Sequence, residues 1–243
     1  MLLELNDITD NSYQQINGIF IHPDICLNSV VYKYIKREHL HEMIQNHQLY
    51  VANRKSFSDR REQQFKENLQ KRFIIAPASI PSYNKNYYKT LSKKIDEAYS
   101  LCISCWTYDK HKDCDESILN WKCYGENTCR IETSIEDLIL SIHPTDKIIV
   151  ISPVSYEKNE YDSNVFNAIF KKHISYQDEQ EIRMCILSSA NNELLNIDTE
   201  KLIHKIRLSP LLSVEQNEKE KKQLESIDKN LLSIIEYSHL YER

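Results

Sequence analysis

A chain of 243 residues, 41% hydrophobic and 28% charged, has room for one large domain or two small ones and the make-up of a soluble globular protein. Its net charge is −5 and only 2 residues are Gly, which excludes a P-loop or a Rossmann fingerprint, since their tight phosphate turns are built from glycines. No apolar run approaches membrane-spanning length and the acidic N-terminus has no positive n-region, so the expected setting is cytoplasmic, away from any membrane, with the 7 Cys reduced.

In chain order, residues 1–29 read as an N-terminal leader with a short helix around Asn11–Ile16, broken by Gly18 and Pro23. Residues 30–243 read as one domain. Val30–Ile35 is a strand by its β-branched and aromatic content, Glu38–His47 a helix with Leu40, Met43 and Ile44 on one face, and Leu49–Ala52 a second strand. A helix is expected from Arg60 to Arg72 and another from Tyr83 to Tyr99, together forming a helical insertion around 60–99. Leu101–Thr107 is a strand, Ser117–Tyr124 a short helix, and Thr133-Ser-Ile-Glu136 a capping box opening a helix to about Ile142. Lys147–Tyr156 is a strand interrupted by Pro153, and Asp162–Lys172 is a helix. Strands at Lys201–Leu208 and Leu231–Tyr237 flank a charged helix, Val214–Asp228. Strands and helices mix without regular βαβ alternation, which predicts an α+β fold.

Three features carry chemistry. The first is Tyr176-Gln-Asp-Glu179-Gln-Glu181-Ile-Arg183, where alternation on a strand would set Glu179, Glu181 and Arg183 on one face. Two adjacent carboxylates perturb each other's ionisation, a useful property in a cleft; a salt-bridged edge strand is the plainer account. The second is a run from Arg54 to Lys94 with 11 Lys/Arg against 3 Asp/Glu, a local +8 that leaves −13 for the rest. Phe57, Phe65, Phe73, Tyr83, Tyr87 and Tyr88 are interleaved there. Arg54, Lys55, Arg60 and Arg61 are candidates for phosphate contacts and the aromatics for stacking on unpaired bases, which predicts a single-stranded nucleic-acid partner; a solvated helical face is the alternative. The third is Cys102-Ile-Ser-Cys105, a C-x-x-C. In a strand its two thiols point to opposite faces, so no metal is expected.

Val31-Tyr-Lys-Tyr34, Leu49-Tyr50, Phe57-Ser-Asp-Arg-Arg-Glu62, Ile103-Ser-Cys-Trp106, Asn120-Trp-Lys-Cys-Tyr124 and Gln177–Arg183 together resemble, in order, a large family of uncharacterised bacterial proteins with the pattern LYKY, LYFS, FNDPFE, SCFS, MWxxY, YExEYR. The resemblance spans about Val30 to Leu212. Ser58, Arg60 and Arg61 depart from the FNDPFE element, and Tyr176 stands where a Trp is usual. By further analogy the layout is similar to the ADP-ribosyltransferase fold, a mixed, mostly antiparallel split sheet with flanking helices that binds NAD without a Gly-rich loop. The analogy implies NAD as substrate and no metal. It makes Glu181, Glu179 and Ser104 catalytic: Glu181 takes the ribose 2′-hydroxyl, Glu179 serves the acceptor and Ser104 positions Glu181. It also implies that Lys33, Tyr34, Tyr50, Trp121, Tyr124 and Arg183 hold the cofactor. The expected activity is ADP-ribosyl transfer by a bacterial toxin or phage-defence effector onto nucleic acid, RNA favoured, or onto a target protein, with an antitoxin as a possible partner. The rivals are a non-catalytic nucleic-acid-binding or interaction protein of the same fold, and a hydrolase of NAD or nucleic acid.

Overall fold

The computed structural model describes residues 4–56, 82–108, 116–157, 169–188 and 190–242. Its strands are β1 (Gln14–Ile16), β2 (Ile19–Ile21), β3 (Val30–Lys36), β4 (Gln48–Asn53), β5 (Cys102–Tyr108), β6 (Thr128–Ser134), β7 (Ile149–Pro153), β8 (Ser155–Glu157), β9 (Lys171–His173), β10 (Glu181–Ile186), β11 (Asn192–Asn196), β12 (Lys205–Leu208) and β13 (Ile235–Tyr237). The helices are α1 (Leu5–Ile8), α2 (Arg37–Asn46), α3 (Ser82–Ala98), α4 (Ile118–Tyr124), α5 (Ile135–Ser141), α6 (Thr199–Leu202) and α7 (Val214–Ile227).

Eleven strands form one sheet in the order β1-β2-β7-β10-β5-β3-β6-β12-β13, with β4 joined to β5 and β11 to β4. The pairings are antiparallel except β2–β7 and β12–β13. The fold is therefore α+β with a mixed, largely antiparallel sheet and flanking helices, as expected. The sheet forks at β5. One end of β5 pairs with β4 through Ala52↔Ile103 and Asn53↔Cys102, the other with β3 through Val31↔Tyr108 and Tyr32↔Thr107. Between these, Ser104, Cys105 and Trp106 pair with β10 on one side and, among the described residues, with no strand on the other.

The larger core lies on one face. There α2 contributes Leu40, Met43 and Ile44 at helical spacing, packed with Val31, Ile35, Trp106, Met184 and residues of α5 and α7. Each such buried side chain is worth roughly 1.5–3 kcal/mol. A smaller core on the other face joins Ala98 and Leu101 to Ile103, Val150, Ile169, Phe170 and Cys185. Among the described residues no helix is long and apolar enough to cross a membrane.

Local chemistry explains where the structure departs from the sequence reading. The leader is not separate from the sheet: β2 runs parallel to β7. The helix expected at Asn11–Ile16 is a strand in a hairpin, because Asn17 (φ 50°) and Gly18 (φ 78°) make a two-residue turn with both residues left-handed. With so few glycines, His47 (φ 51°) and Gln180 (φ 42°) also take left-handed positions. The helix after Thr133 is capped by Ser134, whose hydroxyl accepts the Asp137 amide at 3.0 Å, while Thr133 stays in β6. Lys201 falls in α6, capped by Asp198, before the strand begins at Lys205. Leu231 lies in a 3-10 helix before β13. The helix expected at Arg60–Arg72 lies outside the described residues, and of Asp162–Lys172 only the end is described, where Lys172 is in β9.

Candidate functional site

Glu181 opens β10, whose six residues are all buried. It shares the face of the smaller core with Arg183, and the two form a fork: Arg183 Nε donates to Glu181 Oε1 at 2.9 Å and Nη2 to Oε2 at 3.3 Å. Arg183 Nη1 donates to the Ile169 carbonyl at 2.6 Å. Lys172, from β9, places its ammonium 2.8 Å from Glu181 Oε2 and 2.6 Å from Glu179 Oε2. Burial pushes the Glu181 carboxyl up, but Arg183, Lys172 and the Cys105 thiol more than cancel this and hold it down at about 2. For Glu179 burial wins over Lys172, with Glu181 adding to it, and its carboxyl is raised. The two carboxylates are thus pushed in opposite directions, the pattern that divides a permanent anion from a proton carrier.

Glu179 is not on the strand. It ends a 3-10 helix, Ile174–Glu179, and Gln180 makes the left-handed step into β10. The carboxylates converge through Lys172 rather than by strand alternation. Main-chain contacts fix the corner: the Glu181 amide donates to the Tyr156 hydroxyl at 2.8 Å, and the Val154 amide to the Glu181 carbonyl at 2.8 Å. A cleft of about 860 Å³, bordered by Tyr108, Tyr156, Gln177, Gln180 and Glu181, opens at this end of β5, β7 and β10.

Lys33 and Ser104 meet, with the Lys33 ammonium 2.9 Å from Ser104 Oγ and 3.2 Å from the Cys105 carbonyl, but Glu181 does not join them, because strand register sets it on the opposite face of the sheet. The Lys33 ammonium also lies 5.4 Å from the centre of the Trp106 ring, and burial lowers its pKa. The lysine reaches into the fork at the middle of β5. Ser104 pairs with Met184 and Cys105 with Arg183, so Ser104 faces away from Glu181. The expectation that Ser104 positions Glu181 is therefore corrected; Cys105 does so, with its thiol toward Glu181 and its carbonyl toward Lys33. The same register puts Cys102 opposite Ile186, so the C-x-x-C thiols lie on opposite faces. Burial raises Cys102 to about 11, far from a thiolate at neutral pH.

Of the aromatic candidates, three assemble. Tyr34 stacks on Tyr124 (5.0 Å, 8°) and meets Trp121 edge-on (5.0 Å, 89°). Tyr124 is 43% exposed, but burial of its hydroxyl, followed by Cys105 and Glu181, raises its pKa well above the usual value. The pair is therefore a partly open shelf beside the carboxylates. Trp121 is pinned from below, its indole N–H donating to Glu116 at 3.3 Å. Tyr50, by contrast, stacks on His39. Arg183, expected on the cofactor, is fully buried and committed to Glu181 and Ile169. Arg54, expected on nucleic acid, is buried with its guanidinium 4.2 Å over the Tyr99 ring. Lys55 is exposed, and Arg60 and Arg61 lie outside the described residues.

Sequence reasoning does not find Lys172, Tyr156, Cys105 or Glu116. Lys172 carries a readable signal, a basic residue seven positions before the first carboxylate of the pair; Cys105 is brought in by strand register, and Tyr156 and Glu116 by tertiary packing. Among the described residues no group of His, Cys, Asp and Glu is arranged to hold a metal. Comparison with family models, curated proteins and solved structures gives no match to this chain.

Proposed function

We propose that the chain is an NAD-dependent ADP-ribosyltransferase acting at Glu181, with nucleic acid, RNA favoured, or a protein as acceptor. The observation that carries this reading is a buried carboxylate held ionised by Arg183 and Lys172 next to the open Tyr34–Tyr124 stack. Cleaving the nicotinamide–ribose bond develops positive charge on the ribose, and a fixed anion in a low-dielectric wall stabilises that charge. Glu181 is such an anion. Glu179, more exposed and with a raised pKa, is suited to take the acceptor proton. The Tyr34–Tyr124 shelf offers a stacking surface for a planar ring. In this reading Lys33 props the fork open instead of touching NAD.

One observation favours the non-catalytic rival. The Glu181 oxygens already receive Arg183, Lys172 and Cys105, and the Lys33–Ser104 pair sits on the other face. A protein that merely binds its partner needs no more of Glu181 than this. Incubation with NAD labelled on its adenylate, with separate pools of RNA, DNA and protein, separates the readings. Label on one pool supports the transferase. Release of nicotinamide and ADP-ribose without a labelled pool identifies an NAD hydrolase. Unchanged NAD with every pool rejects both.

The acceptor preference follows from the basic segment. On α3, Tyr87 is 65% exposed with Lys89 and Lys93 exposed near it. Phosphate contacts release counterions, so binding of single-stranded RNA is expected to weaken steeply with salt and to exceed binding of duplex. Reversing Arg60 and Arg61 to Glu should weaken all sequences alike. No binding at low salt would turn the acceptor toward protein.

A further inference from the structure

We propose that Lys172 is a positioning residue whose task is to keep Glu179 ionised beside Glu181, so that both carboxylates stand ready together. Its kinetic consequence rests on the transferase reading above; the electrostatic claim does not.

The geometry is that of one ammonium shared by two anions. Lys172 donates to Glu179 Oε2 at 2.6 Å and pairs as an ion with Glu181 Oε2 at 2.8 Å. The two oxygens therefore lie within roughly 5–6 Å of each other, a separation at which one of two like charges ordinarily takes up a proton. Arg183 does not substitute for the lysine, because its fork is turned to Glu181 and the Ile169 carbonyl. The other groups facing Glu179 are Tyr124 from α4 and Tyr156 from β8, both neutral phenols with raised pKa values. Lys172 is thus the cation in contact with Glu179 among the described residues.

The lysine is itself held. β9 runs parallel to β8 with Lys172 opposite Tyr156, and the ammonium lies 5.2 Å from the centre of the Tyr176 ring. One short ribbon therefore touches Glu181 twice, through the Tyr156 hydroxyl at its amide and through Lys172 at its carboxylate. Burial works against the Lys172 charge, and Glu181 and Glu179 more than restore it, so the ammonium stays charged across the working pH range.

The test is a carbon NMR titration of the glutamate carboxyls in the full chain. In Lys172→Met the ionisation midpoint of Glu179 is expected to move up the pH scale. Lys172→Arg should return it toward wild type, and adding Glu181→Gln to the methionine variant should bring it back down. Where the methionine variant does not fold, Lys172→Gln keeps a hydrogen-bond donor without the charge and makes the same comparison. A folded, uncharged variant whose Glu179 midpoint is unmoved overturns the proposal. In kinetics the acidic limb of kcat/KM should move with the midpoint. At a fixed pH below it, activity should fall roughly tenfold whenever the midpoint rises by a full step on the pH scale. A purely structural lysine would instead lower the whole profile evenly. A raised midpoint in a protein that leaves NAD untouched keeps the Lys172 assignment and removes the transferase. NAD turnover with an unmoved midpoint does the reverse.

Discussion

Glu181→Gln is expected to reduce NAD turnover by on the order of a hundredfold or more, the scale of losing one electrostatic partner of the transition state. The same change is expected to cost stability. Glu181 is 4% exposed at its side chain and faces two cations, Arg183 being fully buried. Neutralising it leaves Arg183 and Lys172 without their shared anion. The sign with pH follows from the lowered carboxyl. A folded pKa of about 2 against an ordinary 4.5 contributes about 3 kcal/mol that is fully present above pH 4.5 and lost as pH falls toward 2. Wild type should therefore exceed the Gln variant in denaturation free energy at neutral pH, and the gap should close as pH approaches 2. Turnover is to be measured well below the variant's Tm, so that lost chemistry is not confused with lost fold. A folded variant with wild-type turnover removes Glu181 from the chemistry. A stability gap of the same size at every pH removes the ionised cluster.

Much of the frame is legible in local sequence. β3 and β4 announce themselves by β-branched and aromatic residues, and α2 by Leu40, Met43 and Ile44. These segments follow the period of the surface they bury, and period is a local property. The departures have physical causes. Gly18 reads as a helix breaker because the strands on either side of its turn are only three residues long each, too short to show a period of two. Alternation sets Glu179 on a strand because it is blind to a left-handed step at Gln180, a conformation rarely adopted outside Gly and Asn.

The candidate site divides along the same line. Glu181 and Arg183 are two residues apart on one strand, so their pairing can be read directly. Ser104 cannot be placed that way, because its face depends on whether it lies opposite Met184 or Arg183, and register is a tertiary fact. Lys172 and Tyr156 reach Glu181 through a separate ribbon that no local pattern connects to β10. Glu116 meets Arg207 across 91 residues of sequence.

That last pair carries the largest stability effect expected in the chain. Arg207 on β12 is 2% exposed at its side chain and Glu116 1%. Arg207 Nη1 donates to Glu116 Oε2 at 3.2 Å, and its Nη2 reaches Glu236 at 3.1 Å. Glu116 also accepts the Ser238 hydroxyl at 3.1 Å, the His239 amide at 2.7 Å and the Trp121 indole N–H at 3.3 Å. One carboxylate therefore ties β12, the segment after β13 and α4 together. Removing Glu116 leaves the buried Arg207 facing the more exposed Glu236 in place of its buried anion, and breaking a buried ion pair costs about 3–5 kcal/mol. Glu116→Ala is accordingly expected to lower Tm by on the order of 10 °C for a chain of this length. Glu116→Gln, which keeps a single acceptor oxygen, either for Trp121 or for Ser238 and His239, and loses the charge opposite Arg207, should fall between. Because Trp121 stands edge-on to Tyr34, the alanine variant should also loosen the Tyr34–Tyr124 shelf and weaken NAD binding, measured by titration at a temperature where the variant remains folded. Equilibrium denaturation that places Glu116→Ala within about 1 kcal/mol of wild type, the scale of an exposed pair, would show that this carboxylate is not the tie the geometry makes it.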